Sequence, residues 1–142
     1  MTTSNTGRQS SGAQSSIPKV VVIVLTWNGK SLTLDCLESL DGLKYGNIEV
    51  VVVDNASTDG TATTIEEQYG NRVTTLVNET NLGFSGGNNV GIRYALERGA
   101  DYILLLNNDT LVDPGLVDHL VDVISKTPEI GVVGPKIYYA SP

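Results

Sequence analysis

Four short stretches of this chain are rich in Val, Ile and Leu: "KVVVIVLT" (19–26), "IEVVVVD" (48–54), "RVTTLVN" (72–78) and "YILLLN" (102–107). A fifth, "GVVGPKIYY" (131–139), has a similar character. A strand with one wet face alternates apolar and polar side chains, and several of these runs do not. They predict strands covered by helices on each side, as in a parallel sheet. The intervals carry helical spacing. The first helix is expected at about 31–41 with Leu34, Leu37 and Leu40 on one face, and the second, more polar, at about 59–69 with Ile65 and Tyr69. The third is expected at about 86–98, grouping Ile92, Ala95 and Leu96. The fourth opens with Asp113 as N-cap and Pro114 at the first helical position, then sets Leu116, Val117, Leu120, Val123 and Ile124 on one stripe. The order βαβαβαβαβ predicts an α/β domain around a mostly parallel sheet, with helices on both faces and right-handed crossovers.

Bulk properties narrow the partners. The 142 residues suit one domain, and 40% hydrophobic with 18% charged residues is an ordinary globular balance. A net charge of -7, with no cluster of Lys and Arg, argues against nucleic acid. The single cysteine, Cys36 in "LDCLESL", permits no intramolecular disulfide and reads as a small core residue rather than a nucleophile. The apolar run "VVVIVL" (20–25) falls far short of the roughly 20 residues a membrane span needs. Residues 1–18 are polar and lack a hydrophobic signal core, so a flexible tail is expected there, a single domain over 19–142, and a cytoplasmic location.

In an open parallel sheet, ligands bind beyond the carboxyl ends of the strands, where strand order reverses. The segments at those ends are "TWNGKS" (26–31), "DNASTDG" (54–60), "NETNLGFSGGNN" (78–89) and "NNDT" (107–110), all rich in Asn, Asp, Ser, Thr and Gly. Loop and cap chemistry accounts for part of that richness. Several familiar sites do not fit. "NGKS" resembles the end of a phosphate-binding P-loop, but Val24 stands where its first glycine is required. No G-x-G-x-x-G follows the first strand, and a receiver-like site would need acidic residues where Thr26, Trp27 and Asn28 stand. One Cys and one His, His119 on the polar side of the fourth helix, exclude a zinc site, and nothing sets a serine beside that histidine. A site of carboxylate and amide oxygens remains, which suits Mg²⁺ or Mn²⁺.

Taken together, "VVVIVLTWNG", "VVVVDNASTDGT", "NETNLGFSGGNNVGI" and "LLLNNDT" resemble, in order and spacing, the donor-binding half of family 2 glycosyltransferases. The resemblance runs from residue 19 to about 139 and implies a Rossmann-like GT-A fold. It also implies transfer of a sugar from a nucleoside diphosphate donor of UDP or dTDP type to the hydroxyl of a carbohydrate or lipid-linked acceptor, with inversion. Carried over by position, Thr26 and Asn28 would line the nucleotide pocket, with Trp27 as a pocket wall or a packing residue. Asp54 and Asn55 would meet the base and ribose; many relatives carry two aspartates there, and an amide carbonyl at Asn55 can still accept from a pyrimidine N3–H. Gly83, Gly86 and Gly87 would let backbone approach the donor, with Asn88, at a position where many relatives have arginine, reaching inward. Asn107, Asn108 and Asp109 match the family's D-x-D motif, so Asp109 would ligate the Mg²⁺ or Mn²⁺ that bridges the donor phosphates, beside Asn107 and Asn108.

An inverting transferase also needs a general base, which in the family comes from the second half of the domain. No acidic residue of this chain matches it; Asp113 reads as a helix cap and Glu129 as a loop residue. The expectation is therefore a truncated chain or gene fragment that holds the nucleotide-binding half, without the acceptor-binding half. Two other functions compete with transfer. One is a non-catalytic nucleotide-binding module. The other is a sugar-phosphate nucleotidyltransferase, disfavoured because "TWNGKSLTL" offers no Gly-rich basic loop.

Overall fold

The computed structural model describes residues 17–139, so residues 1–16 of the expected tail lie outside the described part. Strands and helices alternate along it as β1 (Val20–Thr26), α1 (Lys30–Asp41), β2 (Ile48–Asp54), α2 (Thr61–Tyr69), β3 (Val73–Val77), α3 (Gly83–Glu97), β4 (Tyr102–Asn107) and α4 (Leu116–Lys126). The strands form one parallel sheet in the order β3-β2-β1-β4. The chain moves outward from β1 to β3, then crosses back to place β4 on the other side of β1. The order therefore reverses at β1, and the crevice between the ends of β1 and β4 is where such a sheet takes ligands. Register brings those ends level: Thr26 pairs with Asp54 and Leu25 with Asn107.

Unbroken apolar runs suit this sheet because both faces of its centre are covered. Val20, Val22, Val24 and Val52 pack with Cys36, Leu37, Leu40, Ile65 and Val117, which come from α1, α2 and α4. Val21, Ile23, Val51 and Val53 pack on the other face with Ala95 of α3. Each fully buried Val or Ile contributes on the order of 1.5–3 kcal/mol relative to exposure. α3 comes close because it carries glycine where it meets the sheet: a Cβ on Gly91 would stand 2.5 Å from Ile23 Cγ2.

Several expectations need correction. Residues 131–139 form no strand: Gly131, Gly134 and Pro135 interrupt the apolar residues, Val132 and Ile137 are exposed, and the outer edge of β4 pairs with no strand among the described residues. The β4 leucines are not buried on both faces. Leu104 and Leu106 pack toward α1 and α4, while Leu105 is 47% exposed because α3 lies over β1 and β2 and scarcely reaches β4. Leu96 and Val123 also face outward. Asp113 does not cap α4, whose N-cap is Gly115; its Oδ1 accepts from Gly115 N–H (2.8 Å) and its backbone carbonyl from Leu116 N–H (3.0 Å), closing a turn ahead of the helix. Lastly, α3 starts at Gly83 and not near 86, so most of the glycine-rich stretch is helix rather than loop.

Candidate active site at the carboxyl end of the sheet

The turn after β4 is joined to β1 and α1 by a polar triad in which Thr26 and Thr33 are buried and Asn108 is partly so. Thr33 Oγ1 lies 2.8 Å from both Thr26 Oγ1 and the Gly29 carbonyl, and accepts from Asn108 Nδ2 at 3.1 Å. Asn108 Nδ2 also approaches Thr26 Oγ1 at 3.4 Å. Asn108 thus turns inward and holds the segment Asn107–Thr110, which closes as a turn with Thr110 N–H donating to Asn107 O (3.3 Å). Cys36 lies beneath, its thiol donating to the same carbonyl. Burial pushes that thiol up to about 11, so it stays protonated and is no nucleophile. Asn107 and Asp109 are exposed on the turn, and the Asp109 carboxylate accepts no hydrogen bond among the described residues.

Asp54, at the end of β2, and Asp59, in the loop after it, are committed to backbone. Asp54, buried, accepts from Ser57 N–H (2.8 Å). Asp59 accepts from the hydroxyl and N–H of Thr61 and from Lys30 N–H (3.2 Å). Chiefly through that hydroxyl bond, its carboxyl is held below the ordinary range. Asn28 takes the left-handed conformation (φ 50) that a short amide side chain tolerates. Its Oδ1 accepts from Thr58 N–H (2.7 Å) and its own N–H donates to Ser57 Oγ (2.8 Å), so it ties the loop after β1 to the loop after β2.

Asn55 has the densest set of bonds. Its Oδ1 accepts from Asn78 Nδ2 (2.9 Å) and Leu82 N–H (3.1 Å), and its Nδ2 donates to Asn81 Oδ1 (2.9 Å) and the Gly83 carbonyl (3.1 Å). An amide side chain has two donor hydrogens and two acceptor lone pairs. All four are engaged, so the pyrimidine N3–H contact implied for Asn55 finds no free lone pair. A cavity of about 240 Å³ lies above this network, lined by Leu25, Thr26, Trp27, Asn55, Asn81, Gly83 and Phe84. A larger cavity of about 370 Å³ sits beside Val20 and Tyr102, at the amino ends of the strands, far from the polar segments and with a mostly apolar lining.

The structure therefore brings Thr26, Asn55 and Gly83 to one cavity, joins Asn108 to Thr26, and links Asn28 with Asp54 through the 57–58 loop. Gly87 does not open toward a donor: it is buried, and a Cβ there would run into Leu25 and stand 3.1 Å from Asn55 Nδ2. A Cβ on Gly86 would stand 2.7 Å from Leu82 Cβ. Asn88 is buried and donates to the Phe84 carbonyl (2.9 Å). Sequence reasoning gave no role to Thr33, Ser57, Thr58 or Asn78. The last three lie inside the polar segments at the strand ends, and Thr33 left a signal as a polar residue on the turn of α1 that packs beside Leu37.

Residues 21–141 match the model of glycosyl transferase family 2. The chain belongs to that family. It is 32% identical over 112 residues to an uncharacterized glycosyltransferase of Haemophilus influenzae, with 79% of this chain and 36% of that protein covered. Among solved structures it is similar to the mannosyltransferase PcManGT from Pyrobaculum calidifontis, in complex with GDP-Man and Mn²⁺, at a TM-score of 0.70 and 26% identity, covering 78% of this chain and 33% of that one. It is also similar to S. aureus TarS 1–349 in complex with UDP-GlcNAc, at a TM-score of 0.68 and 25% identity, covering 83% and 37%. The four-stranded sheet is thus of the GT-A type, and the chain spans about a third of the length of the curated relatives it matches.

For a family 2 glycosyltransferase, the donor atoms at the β4 turn fit a hard divalent cation. Asp109 offers a carboxylate free of hydrogen bonds among the described residues and Asn107 an exposed amide, while Asn108 is committed inward. No group of three His, Cys, Asp or Glu is assembled among the described residues. Most of the coordination shell would come from diphosphate and water, as Mg²⁺ commonly arranges it.

Proposed function

We propose that this chain supplies the donor-binding part of a glycosyltransferase that moves a sugar from a nucleoside diphosphate to an acceptor hydroxyl, with inversion. The observation that carries this reading is the contrast along the rim of the sheet. Asp54 and Asp59 are tied to backbone N–H groups, whereas Asp109, one residue beyond the Asn108–Thr26 contact, presents an exposed carboxylate with no hydrogen-bond partner among the described residues. A divalent cation held there, Mg²⁺ or Mn²⁺, would stabilise the charge that develops on the leaving diphosphate. The residues of the chain hold the geometry: Asn108, Thr26 and Thr33 fix the turn that carries Asp109, and Asn28 and Asp54 fix the loops at the nucleotide end. The acceptor would be a carbohydrate or a lipid-linked sugar, and the general base would come from outside this chain. GDP-Man and UDP-GlcNAc in the two neighbours support a nucleotide sugar as donor and leave UDP, dTDP and GDP all to be tried.

Titration calorimetry of the chain with UDP, dTDP and GDP, with and without Mn²⁺, tests the reading. The expected result is nucleotide binding that is strengthened by Mn²⁺ and loses that increment in Asp109→Ala. Binding that ignores both the metal and Asp109 would favour a non-catalytic nucleotide module.

A further inference from the structure

The Asp109 side chain meets no partner among the described residues, so its place is set by the backbone on either side of it. Helix α1 holds that backbone at both flanks. Thr33, Cys36 and Ser39 stand three residues apart, on one slanting row of the helix. Thr33 Oγ1 accepts from the Asn108 amide at 3.1 Å, just before Asp109, and Ser39 Oγ accepts from Val112 N–H at 3.2 Å, just after it. Between them the Cys36 thiol donates to the Asn107 carbonyl.

Both hydroxyls on this row have their orientation fixed from within the chain's first helical turns. A hydroxyl has one hydrogen and two lone pairs. Ser39 gives its hydrogen to the Cys36 carbonyl (2.7 Å), which leaves its oxygen to accept from Val112. The Gly29 carbonyl can only accept, so the Thr33 hydrogen goes there (2.8 Å), and the Thr33 lone pairs face Asn108 Nδ2 and the Thr26 hydroxyl. Bonds of this kind to the preceding turn bring a helix no stability of their own. Here they aim two acceptors at the segment 107–112.

We propose that Thr33 and Ser39 are positioning residues: α1 acts as a template for the turn after β4, and its hydroxyl row governs how strongly a divalent cation is held at Asp109. This rests on the nucleotide-sugar reading of the crevice. Thr33 is fully buried with every bond engaged, so it acts through the turn and not on the ion.

The test is titration of UDP and GDP into the chain with and without Mn²⁺, the ratio of the two affinities being the metal increment. Thr33→Val and Ser39→Ala remove the hydroxyls, Thr33→Ser keeps one, and Ile65→Val trims the core at α2 without removing a hydrogen bond. Circular dichroism checks each fold, and Ser39 is only half-buried, so its alanine variant is expected to fold whatever Thr33→Val does. Each hydroxyl deletion should lower the metal increment roughly twofold to tenfold, the range for one lost hydrogen bond, with metal-free affinity unchanged. Thr33→Ser should keep the increment, and Ile65→Val should leave it at the wild-type value. An unchanged increment in folded Thr33→Val and Ser39→Ala, with Asp109→Ala losing it, overturns the positioning role and leaves the metal reading intact. An equal fall in Ile65→Val overturns it as well, since the effect would then follow stability alone. A wild type whose nucleotide binding ignores Mn²⁺ overturns both the positioning role and the reading beneath it.

Discussion

The Asn108 amide nitrogen lies 2.5 Å from the point where a Cβ on residue 29 would stand, so the two loops that define the crevice approach each other only because residue 29 is glycine. Gly29→Ala should push the Asn108 amide away from Thr33 and Thr26, costing about 1–2 kcal/mol for the disturbed bonds. Urea denaturation measures the loss. Asn108→Ala in the Gly29→Ala background should cost much less than in the wild type, since the bonds it removes are already broken.

Asp109 should separate folding from function. Its exposed carboxylate has no protein partner among the described residues, so Asp109→Ala should leave stability within about 0.5 kcal/mol of wild type. With an acceptor-binding half supplied, the same change should lower the transfer rate roughly a hundredfold or more, as loss of a preorganised charge-stabilising contact does. Thermal denaturation of the chain and initial-rate assays of the chain joined to such a half give the two numbers.

Asp59 predicts an acid-labile loop. Its carboxyl titrates below its ordinary value of 3.8, first through the Thr61 hydroxyl and then through the Lys30 and Thr61 N–H groups. A depressed folded value means that the ionised form is the one the fold favours, so its contribution is complete above about pH 4 and is lost as pH falls through the lower folded value. Amide exchange at Lys30 and Thr61 should rise in that acid window, and Asp59→Asn should show the raised exchange at neutral pH as well.

Gly91 tests the seat of α3. Alanine is the better helix former by about 1 kcal/mol, yet its Cβ would stand 2.5 Å from Ile23 Cγ2 and 3.1 Å from Val53 Cγ2, both on fully buried residues. Overpacking of this kind costs roughly 1–3 kcal/mol, so Gly91→Ala should be net destabilising, by up to about 2 kcal/mol in urea.

What was legible in the sequence follows from how local the cause was. The runs at 20–26 and 48–54 specify buried parallel strands by themselves, since Val and Ile on both faces leave no solvated alternative. The strand expected at 131–139 did not form, because a strand needs a neighbour's hydrogen bonds as well as apolar side chains, and Pro135 lacks a donor. Gly83 falls before the expected helix start near 86, but α3 begins there and accepts Gly87 and Gly91 because closeness to the sheet compensates for poor propensity. Of the site, the positions at the strand ends were visible and the bonding was not. That Asn55 meets Asn78, Asn81, Leu82 and Gly83 depends on the register of β2 with β3, and no local spacing encodes it.

The place of β1 in the sheet has a consequence for the order of assembly during synthesis. Val20 pairs with Ile48 on one side and with Tyr102 on the other, so the first strand made waits for the last one described before its second ladder can close. Pairings this distant in sequence are slow to form, because the chain between them must be ordered first. A nascent chain that has emerged only as far as α3 already holds Trp27, Asn55 and Phe84, but it lacks Asn108 and Asp109. Any diphosphate grip at Asp109 is therefore acquired in the closing step, when β4 docks against β1.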